Sequence, residues 1–135
     1  MAKQARLTLK DYQALAGIRR GMRQFLEFSA GAAGAAGLTP AQHQALLAIK
    51  GMQGPVTVGS LAEWLGVRPH SAVGLVNRLV TLKLVARVAD PADRRRMRLR
   101  LTKRAEAKLA ALSQIHRAEL RRFSSVLAPL LAALH

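Results

Sequence analysis

The sequence contains no cysteine, which excludes disulfides, thiolate metal sites and thiol-based redox sensing within this chain. Acidic residues are scarce: 7 Asp and Glu stand against 22 Lys and Arg, a formal net charge of +15. So one-sided a balance attracts a polyanion, either nucleic acid or an anionic membrane. No apolar run reaches the roughly 20 residues that span a bilayer. Met1 to Lys10 is polar and basic with no apolar signal core after it, so a cytoplasmic protein is expected. Nor does the sequence suggest a nucleophile–base pair, a clustered carboxylate pair or a phosphate loop, and an enzyme ranks last among the readings. What remains is 50% apolar, enough to bury a core, and 135 residues fit one domain over 1–135.

The basic residues are unevenly placed. Seven fall between Arg94 and Arg104 (Arg94, Arg95, Arg96, Arg98, Arg100, Lys103 and Arg104), and no acid interrupts them. A solvated charged face usually mixes signs, so this block reads as an anion-binding surface.

Hydrophobic spacing predicts mostly helices. Leu15, Ile18, Met22 and Phe25, widened by Leu26, form the apolar stripe of a first helix over about Leu9 to Ser29. Gly31 to Gly37 is only Gly and Ala; it reads as either a frayed helix end or a loose connector, and the Gly spacing favours a break. Thr39 caps a second helix, with Pro40 at its first position and Gln42 closing a capping box; Leu46, Leu47 and Ile49 are its buried side. Gly51 and Gly54-Pro55 end it, and Val56 opens the prospect of a short strand. A third helix starts near Thr57, buries Leu61, Ala62 and Leu65, and stops at Gly66. After Val67 and Arg68, a fourth helix begins at Pro69 and runs to about Leu82. Its Ala72, Leu75, Val76 and Leu79 face inward, while His70, Ser71, Gly74, Asn77, Arg78 and Thr81 occupy the other side. Two helices joined by a short Gly-containing turn make a helix-turn-helix.

Strand-like Val85 to Ala89, the turn Asp90-Pro91-Ala92-Asp93, and Met97, Leu99 and Leu101 alternating with Arg98 and Arg100 form a β-hairpin with an arginine-rich tip. Thr102 caps a last long helix with an apolar stripe of Leu109, Leu112, Ile115, Leu120, Phe123 and Leu127; Pro129 is expected to break or kink it before a short terminal helix. The fold class is therefore mainly α with a small β-hairpin wing, a winged helix-turn-helix. Such a fold offers a helix that fits the major groove of B-DNA, and a hairpin whose tip arginine can enter the minor groove. The arginine block neutralises phosphates and releases counterions.

From Leu38 to Thr102 the chain resembles the MarR-type bacterial transcription regulators. The resemblance is carried by Leu38-Thr39-Pro40-Ala41-Gln42, Leu61-Ala62 with Leu65-Gly66-Val67, and Leu75-Val76-Asn77-Arg78-Leu79. Its most specific part is Asp90-Pro91-Ala92-Asp93-Arg94-Arg95 running into Leu99-Arg100-Leu101-Thr102. The resemblance implies a homodimer paired through helices at 9–30 and 103–135, with residues 38–102 as the DNA-binding part. It also implies double-stranded DNA with a pseudo-palindromic operator as partner, and a repressor released by a small aromatic or anionic effector. Departures from the family pattern are Gly74, where many members carry a polar or basic residue, Asn77 for a frequent Asp, Lys83 for a usual Gly, and Ala105 for a frequent Gly.

The candidate DNA-binding residues are His70, Ser71, Gly74 and Arg78 on the recognition helix, and Arg94, Arg95, Arg96 and Arg98 on the wing. Arg94 and Arg95 have a competing reading as a solvated loop, one of them pairing with Asp93 to hold the wing. Arg98 and Arg100 read as phosphate contacts or solvated strand residues, and Arg78 equally as a salt-bridge partner. No metal or cofactor is expected: of His43, His70, His116 and His135, only His116 has an acid at helical spacing, Glu119, and no third ligand follows. Met22, Phe25, Met52 and Trp64 could line an effector pocket, but Met22 and Phe25 fall on the core stripe and Trp64 is expected to finish the core of its helix. The competing function is a basic, chromosome-architectural protein with little base preference. A membrane-surface helix is set aside because the apolar stripes are needed for a dimer core.

Overall fold

The computed structural model describes residues 6–134; residues 1–5 and 135, which the single-domain reading and the histidine survey include, lie outside it. The element order is α1 (Leu9–Ala35), α2 (Pro40–Gly51), α3 (Val58–Leu65), α4 (Pro69–Thr81), β1 (Val85–Ala89), β2 (Met97–Leu101) and α5 (Lys103–Ala132). This is the mainly α fold with a two-stranded antiparallel hairpin that the spacing predicts. The chain forms two compact units, one of residues 1–32 with 114–135 and one of residues 33–113.

The break favoured at Gly31 does not occur, and of the break or kink expected at Pro129 the break does not occur either. Helix α1 runs on through Gly31 and Gly34 to Ala35. Ala30, Ala32, Ala33 and Ala35 are the best of helix formers, and together they offset the roughly 1 kcal/mol that each glycine costs. The stop comes at Gly37, which takes the left-handed φ of 81°. There the Leu38 N–H reaches back to the Ala33 carbonyl at 2.9 Å, closing the last turn. Likewise α5 continues through Pro129 to Ala132, and the proline carbonyl still accepts the Ala133 N–H at 3.1 Å. Proline removes one rung of the ladder, while the turns on either side keep theirs.

In the unit of residues 1–32 and 114–135, two helix segments pack through glycines against large side chains. A Cβ on Gly21 would lie 2.6 Å from Phe123 Cε2, and one on Gly17 would lie 3.1 Å from Leu130 Cδ1. Phe25 stacks on Phe123 at 6.0 Å between centroids, and the His116 ring stands edge-on to Phe25 and Phe28. His116 Nε2 is also 2.8 Å from Ser29 Oγ. The expected single stripe on α1 therefore splits. Phe25 faces α5, whereas Leu15, Met22 and Leu26 are exposed, as are Ile115 and Leu120 on α5.

The unit of residues 33–113 holds the main core, with Leu46, Leu61, Val76, Leu79 and Leu84 fully buried. Its helices begin where the sequence says they should. Thr39 Oγ1 accepts the Gln42 N–H at 3.1 Å while Gln42 Oε1 accepts the Thr39 N–H at 3.0 Å. Thr57 and Ser60 make the same reciprocal pair. On α2 the buried side comprises Gln42, His43, Ala45, Leu46, Ala48 and Ile49. Leu47, expected inside, is exposed because it sits one position round from Leu46. Trp64 is 65% exposed instead of finishing the core. The prospective strand at Val56 is not one, yet the Val56 carbonyl accepts the Leu99 N–H at 2.7 Å and so flanks the hairpin.

Candidate nucleic-acid interface

The helix-turn-helix is set by one residue. Gly66 ends α3 with φ 68° and ψ 30°, a left-handed conformation that glycine adopts at no steric cost. Gly66, Val67 and Arg68 then turn the chain into Pro69, whose fixed φ suits the first position of α4. Ala72, Val76 and Leu79 are buried and Leu75 is half-buried. That fixes the rotation of α4, so His70, Ser71, Gly74, Asn77, Arg78 and Thr81 are all exposed. A Cβ on Gly74 would meet nothing within 4 Å, so packing does not demand a glycine there.

Two residues beyond the end of α4, Lys83 holds φ 60° without being glycine. That conformation costs an ordinary residue about 1 kcal/mol. It is stabilised by the Lys83 carbonyl accepting the Thr102 hydroxyl at 2.8 Å and by the Leu84 N–H bonding the Leu79 carbonyl at 2.9 Å. The wing is thereby tied to the end of the recognition helix.

The hairpin pairs Val85 with Leu101, Arg87 with Leu99 and Ala89 with Met97. Leu99 and Leu101 turn into the core. At the tip, the Asp90 N–H bonds the Arg96 carbonyl and the Arg96 N–H bonds the Asp93 carbonyl, both at 2.9 Å. Asp93 Oδ1 accepts the Arg95 N–H at 3.1 Å, so Asp93 holds the loop through backbone and not through an arginine side chain. Arg94, Arg95 and Arg96 are left exposed.

Asp90 is the buried anchor of this loop. Its Oδ1 accepts the Ala92 N–H at 2.9 Å and lies 3.2 Å from Arg98 Nη2. The Ala92 hydrogen bond, then the nearby positive charges of Arg98 and Arg96, hold the Asp90 carboxyl below its ordinary range against the opposing effect of burial. Arg98 therefore staples the wing from within, and its Nε is buried without a hydrogen-bond partner among the described residues. Spacing alone did not reveal this pair, because the hairpin register that brings Arg98 beside Asp90 is set by strand pairing. A carboxyl depressed by folding stabilises the wing above its ordinary pKa and ceases to do so as pH falls through the depressed value. Protection of the Ala92 and Arg96 amides from hydrogen exchange is thus expected to drop below about pH 4. Asp90→Asn is expected to abolish that pH step; an unchanged step would place its origin elsewhere.

A contact that the sequence did not announce joins the two halves of this surface: Arg87 Nη2 on β1 donates to Asn77 Oδ1 on α4. Arg78 and Arg100 are exposed. Among the described residues no three His, Asp or Glu side chains gather to hold a metal, and no helix is long and apolar enough to cross a membrane.

Comparison with known proteins agrees with this geometry. A model of the MarR family matches residues 36–96. No curated protein is similar enough in sequence to count as a relative. Among solved structures, the chain is similar to RV1404 from Mycobacterium tuberculosis at 26% identity, covering 89% of this chain and 82% of that one, with a TM-score of 0.72. It is similar to CouR from Rhodococcus jostii RHA1, bound to p-coumaroyl-CoA, at 25% identity over 78% of this chain and 73% of that one, with a TM-score of 0.68. A mutant of S. aureus MepR bound to an oligodeoxyribonucleotide shares the fold at 21% identity over 89% and 84% of the two chains, with a TM-score of 0.68.

Proposed function

We propose, from a chain whose residues 36–96 match a model of the MarR family, that this protein is a cytoplasmic, sequence-specific transcription regulator that grips double-stranded DNA as a homodimer. The observation that carries this is the pairing of an exposed polar face on α4 with a hydrogen-bonded wing tip bearing Arg94, Arg95 and Arg96. Helix α4 enters the major groove, where His70, Ser71 and Arg78 meet base edges or phosphates. The wing tip enters the adjacent minor groove, whose negative potential attracts arginine. Gly74, with open space around it, lets the helix backbone come close to the DNA instead of supplying a side-chain contact. Arg98 acts through the wing, since Asp90 already holds it.

The dimer forms through α1 and α5. Support comes from the large apolar side chains that the packing of those two helix segments leaves uncovered: Leu15, Met22 and Leu26 on α1, and Ile115, Leu120, Val126 and Leu131 on α5. Exposed apolar surface on that scale marks an association site. Two-fold pairing then matches a pseudo-palindromic operator. The protein acts as a repressor, and a small aromatic or anionic effector releases it by favouring a spacing of the two reading heads that no longer fits the operator. That CouR, of similar fold, is bound to p-coumaroyl-CoA supports a ligand site in such a chain.

One observation favours a second reading. The charge of +15 suits a chromosome-architectural protein that binds duplex without base preference. Binding to an operator candidate, the inverted repeat nearest the coding region, separates the two when an excess of random duplex is added at physiological salt. A regulator is expected to keep its preference; loss of all preference supports the architectural reading.

A further inference from the structure

We propose that Arg87 is a phosphate-contacting residue of the DNA interface and that Asn77 positions it as a neutral acceptor, holding the guanidinium on the recognition face without cancelling its charge. This rests on the reading of that face as a DNA interface. It adds a residue that neither the sequence motifs nor the arginine block singles out.

The argument begins with strand geometry. Arg87 lies directly opposite Leu99 in the hairpin and shares its side with Val85 and Leu101. Those three neighbours are buried. An arginine on such a face must lay its stem along the apolar surface and carry its charged head out to the edge. The edge it reaches is α4, where Nη2 donates to Asn77 Oδ1. Asn77 sits with Gly74, Arg78 and Thr81 at i−3, i+1 and i+4 on the exposed side of that helix. A side chain rooted in the wing is thus delivered to the surface that meets DNA.

Among the described residues no carboxylate pairs with Arg87. No acidic residue occurs between Glu63 and Asp90, a stretch that holds all of α4 and β1 up to Ala89. A guanidinium has five N–H donors in a planar fork, and one bond to an amide oxygen leaves a pair free for a phosphate. Because Asn77 gives its oxygen to Arg87, its own NH2 group remains as a further donor and not as a repelling anion. The same hairpin contains the contrasting arrangement. Arg98, on the opposite side of β2, is paired with the carboxylate of Asp90. One arginine is locked by an acid and stiffens the wing; the other is locked by an amide and keeps its full charge.

The experiment titrates binding of a labelled mixed-sequence duplex of about three helical turns across a salt series, with thermal unfolding measured on every variant. Arg87→Gln and Asn77→Asp are each expected to weaken binding about tenfold and to lower the salt slope by about one per protomer, since one phosphate contact is lost or neutralised. Asn77→Asp is expected to keep or raise Tm, because it creates an ion pair. Asn77→Ala keeps the charge but frees the side chain, so the slope is expected to stay and affinity to drop by a smaller factor. Wild-type affinity and slope in Asn77→Asp and Arg87→Gln would overturn the proposal. If Asn77→Asp fails to fold, Arg87→Gln alone decides. Sensitivity of the same duplex to loss of Arg94 and Arg95, with no response to these variants, refutes Arg87 and leaves the interface standing. Absence of any salt-dependent binding by the wild-type chain removes both.

Discussion

Replacing Arg94 and Arg95 together by alanine is expected to weaken duplex binding by several kcal/mol and to flatten its salt dependence. Each arginine in contact with DNA contributes on the order of 1–3 kcal/mol, and each phosphate neutralised adds about 0.9 to the salt slope. A symmetric complex counts both twice. The effect is expected in binding and not in folding. Both side chains are exposed, and the loop that carries them is held by bonds that alanine leaves in place: Asp90 N–H to Arg96 carbonyl, Arg96 N–H to Asp93 carbonyl, and Arg95 N–H to Asp93 Oδ1. Equilibrium titration at two salt concentrations, with Tm as the control, checks it. Unchanged affinity would remove the wing from the account.

Leu26→Arg is expected to split the proposed dimer and to lower affinity for the proposed operator by roughly 100-fold or more, because two linked reading heads gain from effective concentration what a single head lacks. Leu26 is 61% exposed and lies one helical turn from Met22, on the side of α1 turned away from Phe123. An arginine there costs the folded protomer little, but in the pairing face it buries a charge without a partner. Phe123→Arg, which the apolar stripe of α5 suggests as a dimer probe, is the wrong choice. Phe123 stacks on Phe25 and fills the space over Gly21 within one chain, so its loss damages the protomer first. Sedimentation of Leu26→Arg as a stable dimer would contradict this pairing scheme.

The parts of the fold that could be read in advance are those set by short-range chemistry. Thr39 with Gln42, Thr57, Gly66 and Pro69 marked the ends of α2, α3 and α4 because capping and left-handed turns depend on one or two residues. Alternation at Met97, Leu99 and Leu101 marked β2 for the same reason. The rotation of α4, and with it the exposed set from His70 to Thr81, followed from four apolar positions. Reading failed where long-range packing decides. Gly31 and Pro129 looked like breaks, yet each helix continues beyond them. The division of α1 into a face covered by Phe123 and Leu130 and an open face of Leu15, Met22 and Leu26 depends on which helix lies against it. A single stripe cannot show that. The Asn77–Arg87 and Asp90–Arg98 pairs join residues 10 and 8 positions apart. They become visible only once the hairpin register is known.

The absence of cysteine allows the central claim to be tested by position. An iron chelate attached to a single introduced thiol, at Ser71→Cys or at Arg95→Cys, cleaves the DNA strands nearest to it. If two protomers straddle an operator as described, each label gives a pair of cuts related by two-fold symmetry. The label at 71 is expected to cut across a major groove and that at 95 across the flanking minor groove. Cuts scattered evenly along the duplex, or the two labels cutting in the same groove, would contradict the account.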